Sequence, residues 1–105
     1  MDKGITRTIE QYIDSVARQQ PGLISAYVFG SYAKNKQRDE SDIDIALVID
    51  NLLDNERFDT QVRLIMLASQ IDTRIEPHPI SKEDLISNNP FAVEIRNTGI
   101  ELKVK

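Results

Sequence analysis

Two apolar runs joined by a short polar link constrain this chain more than any other feature. Leu23 to Phe29 is nearly unbroken, with aromatic and β-branched members, and it stops at Gly30-Ser31. Ser41 to Ile49 is a second run, interrupted only by Asp42 and Asp44. Runs of this length bounded by turn residues read as buried strands. Side chains alternate faces along a strand, so Asp42 and Asp44 share one face with Ala46 and Val48. Two carboxylates at the mouth of an otherwise apolar strand are out of place in a plain core.

The remaining segments alternate helix and strand. Ile5, Ile9, Tyr12, Ile13 and Val16 recur at helical spacing and predict an amphipathic helix over 4–20, closed by Pro21-Gly22. Residues 31–36 are expected to form a short helix or turn. Phe58, Val62, Leu64, Ile65, Leu67, Ala68 and Ile71 predict a well-buried helix over 56–71. A strand follows over 73–79, which Pro77 and Pro79 confine to a sheet edge or a terminus. Ser81, with Asp84 three residues on, caps a short helix over 82–87. Asn89-Pro90 opens another helix, and Gly99 closes it. Ile100, Leu102 and Val104 alternate with charged residues and predict a short last strand. The sum is an α/β (α+β) fold, a small mixed sheet with helices packed on it, in one domain over residues 1–105.

Composition removes several classes of function. With no cysteine and one histidine, a thiolate zinc site, a disulfide scaffold and a multi-histidine metal cage are all excluded. No apolar stretch approaches the length of a membrane span. The start Met-Asp-Lys-Gly offers no apolar signal segment, so a cytoplasmic location is expected, with no membrane partner. The net charge is −4, and each half of the sequence carries −2. Tight nonspecific binding to nucleic acid is not expected of such a chain.

Each half of the unusual region has a plain structural reading. Asp42 could cap a turn with Ser41 while Asp44 faces water at an edge, and a Gly-Ser after a strand is often only a turn and helix cap. Together they say more. Unpaired carboxylates crowded on one face repel, and a divalent cation removes that repulsion; Mg²⁺ is commonly held by one or two carboxylates plus substrate phosphates. Glycine lets backbone approach a ligand closely, and amides at a helix start face an anion. Ten residues, 32 to 41, separate Ser31 from Asp42, so two neighbouring strands would bring both features to the same sheet end.

The segment GSYAKNKQRDESDIDIAL resembles the signature of the minimal nucleotidyltransferases of the DNA polymerase beta superfamily. The resemblance extends over most of the chain, to a closing segment NPFAVEIRNTGIEL. It implies that Asp42 and Asp44 hold metal, that Gly30 and Ser31 bind nucleotide phosphates, and that Glu76 on the next strand is a third catalytic, metal-binding carboxylate. Arg74, Glu76 and His78 share a face there by alternation. Many relatives carry glycine at the position of Asn35; asparagine tolerates a left-handed backbone, so the turn is expected to persist. Lys34, Lys36 and Arg38 could neutralise phosphates, Lys34 being assigned to the nucleotide; the alternative is a solvated loop that offsets Asp39 and Glu40. His78 is read as structural or exposed, Tyr27 as core, and Tyr32 as a pocket-lining residue.

What the resemblance implies about function is Mg²⁺-dependent transfer of AMP from ATP to a hydroxyl. Small members of the family are often antitoxins that adenylylate a tyrosine of a HEPN-type toxin partner, and a hetero-oligomer with such a toxin is the expectation here. Two alternatives stand beside it. One is an antitoxin that neutralises by binding alone, and the other is a nucleotidyltransferase acting on a small aminoglycoside-type hydroxyl compound.

Overall fold

The computed structural model of the chain describes residues 3–38 and 41–104. Helix α1 spans Lys3–Gln19 and strand β1 Leu23–Phe29. Strand β2 is Ile43–Ile49, and after a 3₁₀ turn at Asp54–Glu56 comes α2, Arg57–Ser69. Strand β3 is Ile75–Ser81, followed by α3 (Lys82–Leu85), α4 (Pro90–Thr98) and β4 (Ile100–Leu102). The four strands form one sheet in the order β3-β2-β1-β4. β1 runs antiparallel to both β2 and β4, whereas β2 and β3 are parallel. A parallel pair needs a crossover, and α2 supplies it.

Period-two patterning decides what each face of the sheet meets. Ala26, Val28, Ile43, Ile45, Leu47 and Ile49 point to the side of α1 and α2, where they join Ile9, Tyr12, Ile13, Val16, Leu64 and Ala68 in the larger core. Phe29, Ala46, Val48 and Ile80 point the other way and pack with Ala92 and Ile95 of α4. The Tyr12 hydroxyl donates to the Leu64 carbonyl at 2.8 Å, tying α1 to α2 inside the larger core. Burial there pushes the phenol far above its usual range, so it stays a neutral donor.

The predicted punctuation is present. The Ser81 hydroxyl accepts from the Asp84 amide at 3.1 Å, and Asn89 Oδ1 accepts from the Phe91 amide at 2.9 Å, with Pro90 at the first helical position. β3 is an edge strand, as its two prolines require, and Gln61 of α2 donates to the Pro77 carbonyl at 2.7 Å.

Helix α2 differs from the sequence expectation. It buries only the line Thr60, Leu64 and Ala68, at intervals of one helical turn. Phe58 is 77% exposed, and Val62, Ile65 and Met66 face outward with it. Apolar residues lie nearly all round this helix, so periodicity could not say which side meets the sheet. Tyr32 also departs from expectation: it is buried in the larger core, its hydroxyl 3.5 Å from Arg74 Nη1.

Candidate functional site

Strand register builds the site. Phe29 of β1, Asp44 of β2 and Glu76 of β3 lie in one row across three neighbouring strands. The next row on the same face is Tyr27, Ala46 and His78. Below it, Val48 and Ile80 are buried. The face thus grades from apolar packing under α4 to carboxylates at the end where β1 finishes and β2 begins.

Gly30 turns the chain at that end. Its φ is +73°, a left-handed conformation in which side chains are strained. A Cβ built there would lie 2.5 Å from Asp44 Oδ2. The missing side chain therefore leaves the space that Asp44 occupies. Beyond Gly30 the chain makes a single helical turn, and no full helix forms. The Lys34 amide donates to the Gly30 carbonyl at 3.2 Å, the Asn35 amide to Tyr32 at 3.5 Å and the Lys36 amide to Ser31 at 2.9 Å. The last two bonds, with Asn35 at φ +56°, form the stop that normally uses glycine. Asn35 thus fills the glycine position in a left-handed conformation. The prediction of outward-facing amides at a helix start is replaced by this one-turn bend. Ser31 is half-buried within it, and Lys34, Lys36 and Arg38 are exposed. Offset of these cations by Asp39 and Glu40 falls outside the described residues.

Asp42 lies one residue ahead of β2 and is exposed. Hydrogen bonding with the neighbouring Asp42, then burial and the nearby Asp44 charge, hold Glu76 above the ordinary carboxylate range, with His78 opposing the shift. Of the three carboxylates of the sequence reading, Asp44 and Glu76 are paired by the register, with Asp42 near enough to act on Glu76. His78 joins them: its Nε2 is 3.2 Å from Asp44 Oδ1 and 3.9 Å from Glu76 Oε1. Sequence reading set this histidine aside, although alternation already placed it on the face of Glu76. The Arg74 guanidinium grips Asp72 at 2.7 Å and holds that carboxyl below its usual range.

The donor chemistry fits a divalent cation. Asp44, Glu76 and His78 each offer one ligand atom, all within 4.8 Å of one another. Asp42, exposed just ahead of β2, lies outside this set. Crowded carboxylates that stay charged are stabilised by a hard cation with oxygen ligands, and the raised Glu76 is the mark of that crowding without one. Among the described residues, no helix is long and apolar enough to cross a membrane.

Comparison with known proteins agrees with this geometry. The family described as "Polymerase beta, Nucleotidyltransferase" matches residues 11–105. A solved candidate nucleotidyltransferase from Sulfolobus solfataricus superposes with a TM-score of 0.66 at 20% identity, covering 90% of this chain and 76% of that one. A chain from a toxin–antitoxin structure with AMP-PNP gives 0.61 at 26% identity, covering 94% and 73%. A chain from the complex of a tri-AMPylated Shewanella oneidensis HEPN toxin with an MNT antitoxin gives 0.57 at 21% identity, covering 95% and 72%. Among curated proteins, none matches significantly.

Proposed function

This chain belongs to the polymerase beta nucleotidyltransferase family, and from that premise we propose that it is an antitoxin that transfers AMP from ATP to a tyrosine hydroxyl of a HEPN-type toxin partner. The observation that carries the reading is the row of Asp44 and Glu76 beside the left-handed bend at Gly30. The likeness at 26% identity to a chain of a toxin–antitoxin structure with an ATP analogue supports the substrate and the partner.

Asp42, Asp44 and Glu76 would hold the divalent cation, which when bound neutralises charge on the triphosphate and on the departing pyrophosphate. The Gly30-Ser31 bend brings backbone close to the phosphates, and Lys34 stands in the same turn as a mobile positive charge. The acceptor oxygen bonds to the α-phosphorus as the bond to the β-phosphate oxygen breaks. Pyrophosphate carries away the electron pair. Glu76 takes the hydroxyl proton as general base. The partner protein supplies the acceptor and its orientation, which accounts for much of the rate in a positioned transfer.

Coexpression with the partner tests the reading. Wild-type chain should relieve the toxin's growth inhibition and leave AMP on a partner tyrosine. Asp44→Asn should abolish both. Relief that persists in Asp44→Asn without modification would show neutralisation by binding alone.

A further inference from the structure

The chain's single histidine lies in the carboxylate cluster, held by features that a solvent-facing residue does not need. The β3 segment reads Glu76-Pro77-His78-Pro79, so Glu76 and His78 each precede a proline. A residue before proline is restricted to extended backbone. Both side chains are thereby set on the same sheet face before any ligand arrives. The His78 neighbour in the β2 register is Ala46, whose small side chain leaves the imidazole room to lean toward Asp44. Edge contacts with Phe29 at 5.1 Å and a tilted contact with Phe91 at 5.6 Å fix the ring.

The donor distances suit a common ion. Metal–ligand bonds of about 2.0–2.2 Å place two donors on one ion roughly 3 to 4 Å apart. His78 Nε2 is 3.2 Å from Asp44 Oδ1 and 3.9 Å from Glu76 Oε1. About a third of the His78 side chain stays exposed, so a cation can reach the nitrogen from solvent.

We propose that His78 Nε2 is a direct ligand, with Asp44 and Glu76, of the cation held at this site, giving it a mixed imidazole–carboxylate donor set that favours Mn²⁺ over Mg²⁺. Mg²⁺ selects oxygen, whereas an imidazole nitrogen adds affinity for first-row transition ions. Without metal, Nε2–H donates to Asp44 Oδ1. Metal binding needs that nitrogen bare, so the neutral ring takes the tautomer with its N–H at Nδ1. The assignment rests on the proposed nucleotidyltransferase site.

The test uses the full chain with Mn²⁺ alone and Mg²⁺ alone. Electron spin-echo modulation of bound Mn²⁺ should show directly coupled nitrogen in wild type. Titration calorimetry should show the preference for Mn²⁺ over Mg²⁺ falling on the order of tenfold in both His78→Phe and His78→Gln. The phenylalanine preserves the ring packing. The glutamine can still donate to Asp44 but brings no imidazole. Nitrogen coupling in wild type that is lost in both folded variants, with the fallen preference, supports the ligand. Absence of Mn²⁺ binding, absence of nitrogen coupling in wild type, or a wild-type preference retained by His78→Gln each overturns it. A parallel adenylyl-transfer assay in Mg²⁺ separates the two claims. Transfer by wild type without nitrogen coupling would remove the histidine ligand and leave the nucleotidyltransferase reading standing; nitrogen coupling without transfer would do the reverse.

Discussion

Replacing Gly30 with alanine should damage the site more than the fold. Two effects add at this position. At φ +73° an L-residue costs about 1–2 kcal/mol relative to glycine. For a domain of this size that lowers the melting temperature by about 4–8 °C per kcal/mol. The second effect is steric. The added Cβ would stand 2.5 Å from Asp44 Oδ2, against an ordinary contact of 3.4–4 Å. Asp44 must therefore yield by about 1 Å, and a misplacement of that size at reacting groups costs on the order of a hundredfold in rate. Asn51→Ala is the control. Asn51 is also left-handed, at φ +59°, but lies past the far end of β2. It should lose about 1 kcal/mol or less and keep full transfer activity. The assay pairs thermal melts by circular dichroism with adenylyl transfer to the partner. Gly30→Ala with transfer within about threefold of wild type would refute the claim that the empty Cβ space positions Asp44.

Other consequences are simpler to measure. Tyr12→Phe removes the buried bond to the Leu64 carbonyl and should cost about 1 kcal/mol in urea unfolding, with no change in transfer. Phe58→Ser should alter the stability of the isolated chain by no more than about 0.5 kcal/mol, because the ring is 77% exposed; a loss of about 3 kcal/mol or more would put Phe58 back in the core. The raised Glu76 predicts how cation and pH combine. A carboxyl raised in the folded state contributes stability that is present at low pH and lost as pH rises through its folded value. Divalent cation should therefore raise the melting temperature more at about pH 8 than at about pH 5, and Glu76→Gln should flatten that difference.

Much of the site was legible because strand alternation is a strict rule. It placed Asp42 and Asp44 on one face, the resemblance supplied Glu76 on the next strand, and the register sets Asp44 beside Glu76. Prolines 77 and 79 marked β3 as an edge for a reason that tertiary context does not overrule. Asn35 could be read as left-handed because relatives carry glycine there and an asparagine tolerates that backbone. What failed did so where two partners compete for one residue. α2 is apolar nearly all round, and only the narrow line of Thr60, Leu64 and Ala68 is fully buried. Tyr32 sits in the bend beside the site, yet its ring turned inward to the core. His78 was visible on the right face, but its partner is Asp44 on the neighbouring strand, and a cross-strand diagonal depends on register that local pattern does not carry.

The central claim is that this cluster moves a nucleotidyl group. Its most direct measurement follows two labels on ATP, one at the α-phosphorus and one at the γ-phosphorus, during incubation with divalent cation and the HEPN-type partner. The α-label should become covalently bound to the partner and the γ-label should leave as pyrophosphate, both depending on Asp44. Capture of the γ-label by the partner, or of neither label, would contradict the account.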